Sequence, residues 1–343
     1  MKKTLKRTVR LGISVVILAM LVAFATKVNW HDTWRAITNA SPSLLLLAAL
    51  VNLASLGLKG VRWWIFLRPV GATSLWLAMR ATLAGAGLNN VLIANSGEAA
   101  RVIFVARAAH VPSAKILATL ALERLFELIG YVIMLALAVS LLPLPQALER
   151  TRPFAWLALL VIAIFLVYLV RRPERPDHTI IADAPSWGAR TRQYGQRFMQ
   201  ALSGISTGPR FVAALFLSVG IWALQVATYA LTAEAAHFSM SLVGTVASIL
   251  AVNIGFAIRA TPGNVGVFQM LYAVTATAFG MDQNAAIAVA FLIQTQQILP
   301  VTIIGIAMAP EFIFQKRRRA ARPDGSALPT ELPLEEERVA AGS

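Results

Sequence analysis

Long apolar blocks separated by short basic breaks dominate this chain. The runs at 11–25, 44–58, 114–142, 154–170, 211–233 and 285–309 are each near the length that crosses a hydrocarbon core of roughly 30 Å. They predict an all-α polytopic membrane protein with about six full transmembrane helices. Two further apolar stretches are interrupted. Residues 74–107 break at Gly85, Gly87, Asn89, Asn90, Asn95 and Gly97, with Glu98 and Arg101 following at once. Residues 243–281 run apolar to Ile258, break across Arg259-Ala260-Thr261-Pro262-Gly263-Asn264-Val265-Gly266, and resume to Phe279. Each arm of the second stretch is about 16 residues, about 24 Å of helix, which is short for a spanning helix. A lipid-facing helix does not tolerate such clusters, whereas backbone buried in protein or lining a cavity does. Both stretches are therefore expected to be broken or re-entrant elements. The alternative, two short full helices in each, leaves the end orientations unchanged.

Composition agrees with the pattern. Of 343 residues, 57% are hydrophobic and 14% charged, against about 25% charged in a soluble domain. The net charge of +15 first suggests nucleic acid, but its placement excludes that partner. The basic segments are 1–10, 59–68, 171–210 and 316–322, and all fall on one side if the N-terminus is cytoplasmic, as the positive-inside rule requires. The expected location is an inner membrane, multi-pass, with both termini cytoplasmic. Ala23-Phe24-Ala25 resembles a signal-peptidase site, yet further spans follow and the first helix is expected to be retained. Trp30 and Trp34, like Trp63 and Trp64, suit the membrane interface.

With that orientation the two broken elements enter from opposite faces. This predicts an inverted repeat: half one at about 41–170, a cytoplasmic loop at 171–210, half two at about 211–310. Residues 1–319 then form a single membrane domain, and the Pro-rich, later acidic tail at 320–343 is expected to be disordered.

The chain has no cysteine, which removes disulfides, thiolate metal sites and thiol nucleophiles. His31, His110, His178 and His237 show no ligand spacing, so neither metal nor cofactor is expected. No nucleotide-binding glycine fingerprint stands in the sequence.

The ionisable residues carry the candidate chemistry, because each costs about 2.5–3.5 kcal/mol to place at the centre of a membrane helix. Arg259 stands at a half-helix junction with no acid nearby in sequence. A helix starting at Asn264 would add backbone donors suited to phosphate. Arg259 is read either as a phosphate ligand or as a residue that snorkels or pairs with Glu98, Glu123 or Glu127. Glu98 and Arg101, three residues apart, are placed to pair locally. Glu123 and Glu127 share a helical face, with Arg124 about 100° away. These charges form either a structural ion-pair network or a polar pathway for a headgroup. Asn89, Asn90 and Asn95 are expected to satisfy broken backbone more than to touch substrate. Gln294, Gln296 and Gln297 either line the same cavity or bond between helices. Lys59 and Arg62 are read first as topology anchors and second as collectors of anionic lipid.

Four places in this order resemble one known family: Lys59-Gly60-Val61-Arg62-Trp63-Trp64; Asn89-Asn90 with Gly97-Glu98 and Arg101; Glu123-Arg124 with Glu127; and Thr261-Pro262-Gly263 with Gly266. The chain resembles the membrane domain of lysylphosphatidylglycerol synthases and its stand-alone, flippase-like relatives over most of residues 10–315. It departs at Ile93-Ala94-Asn95-Ser96, where the family usually carries a proline, and at Asn264 and Gln269, where it often carries Gly and an acid. No soluble aminoacyl-transfer domain follows the last apolar run. The resemblance implies the translocating or lipid-binding half of that system. The sequence-based expectation is therefore a lipid flippase for an anionic or isoprenoid-type lipid, not an enzyme. A lipid-headgroup-modifying enzyme and a non-catalytic partner of a lipid-synthesis enzyme are the alternatives. The lipid-binding candidates are Arg259, Thr261, Gly263, Asn264, Glu98, Arg101, Glu123, Arg124, Glu127, Asn90, Gln294, Gln297, Lys59 and Arg62.

Overall fold

The computed structural model describes residues 26, 28–91, 96–141, 149–171, 208–256 and 264–308. Every regular element among them is helical: α1 (Trp30–Thr38), α2 (Pro42–Leu67), α3 (Leu75–Val91), α4 (Ser96–Ala108), α5 (Ser113–Leu141), α6 (Arg152–Arg171), α7 (Gly208–Ala235), α8 (Leu242–Phe256), α9 (Val267–Ala278) and α10 (Gln283–Met308). The expected all-α polytopic class holds. Four stretches are long and apolar enough to cross a membrane: Pro42–Val70, Ser113–Leu141, Pro209–Ala235 and Gln283–Gly305. They contain four of the six expected spans. The span expected at 154–170 falls in α6, and the one expected at 11–25 lies outside the described residues, as do the loop at 172–207 and the tail.

Helix lengths repeat along the chain. Long α2, short α3 and α4, and long α5 are followed, after α6, by long α7, short α8 and α9, and long α10. The short helices measure about 18 to 26 Å at 1.5 Å per residue, less than the hydrocarbon thickness. The counterpart spans α2 and α7 run antiparallel. Arg62 meets Ser218, Ser55 meets Gln225, and Ser41 N donates to Ala235 O, so one number rises as the other falls.

Proline stops neither α2 nor α10. Pro42 stands at the start of α2, where its missing N–H is no loss. Pro300 lies inside α10 and cannot donate to the carbonyl of Gln296. Asn52 Nδ2, from α2, takes that carbonyl at 3.4 Å, the kind of repair that lets proline persist within a membrane.

Glycines let the short helices approach at backbone distance. A Cβ on Gly97 would collide with the carbonyl oxygen of Gly85, and one on Gly87 would stand 2.8 Å from the Cα of Gly305. Gly97→Ala is therefore expected to lower stability by about 1–3 kcal/mol by forcing α3 and α4 apart. Gly57→Ala meets only Met79 Cε at 3.8 Å and is expected to be neutral or mildly stabilising, since alanine favours helix. Melting of the two variants in detergent checks the contrast; equal melting points would refute it.

Large apolar side chains face outward on α2 (Leu46, Leu47, Leu50) and α6 (Phe154, Trp156, Leu157, Leu160, Ile164). These are lipid-facing surfaces. Helix α1 exposes Trp30 and Trp34. Asn29 Oδ1 accepts from His31 N and Asp32 N at its start, while Asn29 N donates to Asn284 Oδ1 and fixes α1 to the head of α10.

Candidate functional site

The first wall of the site is a polar row on α2. Asn52, Ser55 and Lys59 recur at i, i+3 and i+7, a spacing that stacks side chains on one helical face. With Asn90 of α3, Glu127 of α5, Trp222, Gln225 and Tyr229 of α7, Asn253 of α8, and Gln297 of α10, they line a cavity of about 220 Å³.

Amides interlock along the walls. Gln225 Nε2 donates to Ser55 Oγ at 2.8 Å and to Asn52 Oδ1 at 3.3 Å, and Gln297 Nε2 donates to Gln225 Oε1 at 3.3 Å. Asn90 Nδ2 donates to Thr302 Oγ1 at 3.1 Å and to Ile298 O at 3.4 Å. Asn253 Nδ2 donates back to Ile249 O at 2.8 Å. Asn253 is itself exposed, so the cavity wall reaches the protein surface at α8.

A charged cluster borders the cavity. Lys59 Nζ lies 3.1 Å from Glu127 Oε1, and both line the space. Arg124 NH1 holds the other Glu127 oxygen at 2.8 Å, and Arg124 NH2 pairs with Glu98 of α4. Arg101 NH2 donates to Glu123 Oε2 at 3.0 Å and to Thr82 Oγ1 at 3.2 Å, and its guanidinium lies 4.1 Å from the ring centre of buried Trp63. Arg62 is fully buried, with NH1 donating to Ser218 Oγ at 2.9 Å and no partner for Nε or NH2 among the described residues. Four cations thus stand among three carboxylates (Lys59, Arg62, Arg101 and Arg124 with Glu98, Glu123 and Glu127), and one positive charge is unmatched within the cluster.

Several expectations are corrected here. Glu98 and Arg101 do not rely on local pairing: each bridges from α4 to α5, because their helix lays both side chains against its neighbour. Arg62 cannot gather lipid from a surface, since no part of it is exposed. Lys59 faces the cavity. Helix α9 begins at Val267, not Asn264. Asn264 takes a left-handed conformation (φ 55°) and is buried, and Gly266 (φ 88°) caps the helix, its N–H donating to Gln269 Oε1 at 2.7 Å. Asparagine and glycine are the residues that tolerate such backbone. Gln294 does not line this cavity; of its two expected roles it takes the bond between helices, its Oε1 accepting from Gln269 Nε2 at 2.6 Å and joining α9 to α10.

The structure brings Lys59, Asn90, Glu127 and Gln297 to one cavity and ties Glu98, Arg101, Glu123 and Arg124 to its charged border. Asn89 satisfies broken backbone as expected, its Oδ1 accepting from Gly97 N at 2.8 Å. Arg259, Thr261, Gly263 and Asn95 lie outside the described residues. Sequence reasoning missed Asn52, Ser55, Gln225, Tyr229 and Asn253. The signal was present on α2, where polar residues at helical spacing cross an otherwise apolar span.

Apolar spans around an amide-lined cavity, with a paired lysine and glutamate at its border, define a polytopic helical membrane protein with a polar interior site. Residues 9–305 match the family described as lysylphosphatidylglycerol synthase TM region, and the chain belongs to that family, a lipid-related membrane domain. No curated protein matches the chain.

Proposed function

We propose that this protein moves a lipid with an anionic headgroup, a glycerophospholipid or an isoprenoid phosphate, between the leaflets of an inner membrane. Both chain ends then lie on the cytoplasmic side, where the basic segments collect. The observation that carries the reading is the Lys59–Glu127 pair bordering a polar cavity between apolar helices. A phosphate group leaving water loses its hydration, at a cost of several kcal/mol or more unless the protein replaces it. Lys59 can exchange Glu127 for phosphate, and the amides can replace the remaining water contacts.

The repeated helix order and the antiparallel α2 and α7 support an inverted repeat, with the α3–α4 and α8–α9 hairpins entering from opposite faces. The carboxylates support carriage over catalysis: Glu98, Glu123 and Glu127 are each engaged by a cation. Membrane lipids are accordingly the principal partners.

Vesicles containing the purified protein and a trace of headgroup-accessible labelled anionic lipid test this. Wild-type protein is expected to speed leaflet exchange well above protein-free vesicles, and Lys59→Gln to slow it about tenfold, the equivalent of about 1.4 kcal/mol. Exchange at the protein-free rate, or unaffected by Lys59→Gln, would sink the proposal.

A further inference from the structure

Arg62 is the cation of the charged cluster that no carboxylate holds among the described residues. Its side chain is fully buried, NH1 donates to Ser218 Oγ at 2.9 Å, and Nε and NH2 have no partner there. Ser218 Oγ itself donates to Ala214 O at 2.7 Å, which leaves its oxygen turned to accept from Arg62. A buried guanidinium with idle donors is costly unless another arrangement of the cluster uses them. We propose that Arg62 is the second counter-ion of Glu127: when an anionic headgroup takes Lys59, the carboxylate turns to the open side of Arg62, and it returns to Lys59 when the headgroup leaves. Arg62 is then a positioning residue that never touches lipid, a role that rests on the lipid carriage proposed above.

Contacts on three helices put the two groups within reach. Lys59 and Arg62 are three residues apart on α2 and so are neighbours on its surface, and Lys59 already meets Glu127 at 3.1 Å. Ser218 and Trp222 are four apart on α7. The indole N–H of Trp222 donates to Glu127 O at 2.9 Å, while Ser218 holds Arg62. On α5, Glu123, Glu127 and Gly130 recur at i, i+4 and i+7 and share a face. A Cβ on Gly130 would stand 2.9 Å from Ser218 Cβ, so the face that carries both carboxylates packs where Ser218 receives Arg62. Glu123 and Glu127 both act electrostatically on Arg62.

Glu127 is the carboxylate that the exchange sets loose. Glu123 stays with Arg101 at 3.0 Å and Glu98 with Arg124, and neither lines the cavity. Once Lys59 has gone to the headgroup, Glu127 keeps only Arg124, which is largely exposed and shared with Glu98. A carboxylate oxygen left in the interior without a cation is the costly case, and the idle N–H groups of Arg62 are the donors at hand. The charges then balance as well. With a singly charged headgroup present, Lys59, Arg62, Arg101 and Arg124 face the headgroup, Glu98, Glu123 and Glu127.

The test uses the full-length protein with Arg62→Met, which keeps buried bulk and removes the charge. In detergent without lipid, Arg62→Met is expected to melt no lower than wild type, since no carboxylate depends on Arg62 at rest. Native mass spectrometry with phosphatidylglycerol is expected to show about tenfold weaker binding, and vesicle exchange of that lipid to slow by about the same factor. In a Glu127→Gln background, Arg62→Met is expected to change binding by less than about twofold, because no carboxylate then needs a second partner. Arg62→Lys, which keeps a buried cation, is expected to bind within about threefold of wild type. A tenfold loss in both backgrounds overturns the inference in favour of direct contact between Arg62 and lipid. Wild-type affinity and rate in Arg62→Met overturn it too. So does a melting point lowered as far as that of Arg101→Leu, the mark of a resting ion pair. Each of these leaves lipid carriage standing. Wild-type protein that neither retains phosphatidylglycerol nor exchanges any anionic lipid removes carriage and this role together.

Discussion

Arg101→Leu is expected to destabilise the protein by about 3–5 kcal/mol, and Arg101→Leu combined with Glu123→Leu to recover most of that loss. The two side chains are 8% and 9% exposed and meet at 3.0 Å. Removing the guanidinium leaves a buried carboxylate without its counter-ion, the situation that makes breaking a buried pair so costly. Removing both charges leaves two leucines in a buried position beside Trp63, which is itself fully buried. Replacing a buried pair with apolar groups is often neutral or better, because the desolvation of both ions disappears with them. The arginine also lies over Trp63, and that cation–π contact, worth about 0.5–2 kcal/mol, is not restored in the double variant. A residual deficit of about that size is therefore expected. Thermal or denaturant unfolding in detergent of the wild type, both single variants and the double variant gives the cycle. If the double variant loses the sum of the single losses, the two residues do not act as a pair.

Hydropathy made most of the fold legible. The four long helices coincide with predicted spans because length and apolar content are enough to specify a membrane helix. The two interrupted stretches resolve into pairs of short helices, but the expected breaks at Gly85, Gly87, Asn89 and Asn90 are not breaks. All four lie inside α3, which runs on to Val91, and Gly97 lies inside α4; the glycines permit backbone contact between helices. The site was less legible. Charge drew attention to Glu98, Arg101, Glu123, Arg124 and Glu127, but sequence proximity suggested the wrong partners: Glu98 and Arg101 are three residues apart and pair across helices instead. The burial of Arg62 was missed for a similar reason. A basic residue at the end of an apolar run suggests an interface anchor, and only the packing of α7, which brings Ser218 to its NH1, shows it buried. Asn52, Gln225 and Asn253 were missed because a lone Asn or Gln in a span has no sequence partner. Gln225 acquires meaning only when the antiparallel crossing of α2 and α7 sets it against Asn52 and Ser55.

Glu127→Gln is expected to tighten binding of anionic lipid by about tenfold while slowing leaflet exchange by a similar factor. In the wild type, Lys59 and Arg124 are both held by Glu127. An arriving phosphate must take Lys59 from that carboxylate, and on release the carboxylate takes it back. At an effective dielectric constant near 20, an ion pair at about 4 Å is worth about 4 kcal/mol, so the competition between carboxylate and phosphate sets much of the binding energy. Glutamine keeps the volume and removes the competitor. The phosphate then gains an unpaired ammonium at the cavity border, and its departure leaves that ammonium without a replacement. Affinity and rate therefore move in opposite directions, which simple loss of structure would not produce. Lys59→Gln should do the reverse to affinity, weakening binding as it slows exchange. Native mass spectrometry gives the affinities and vesicle exchange gives the rates. If Glu127→Gln weakens binding and slows exchange together, Glu127 is a scaffold for Lys59 and not its exchange partner.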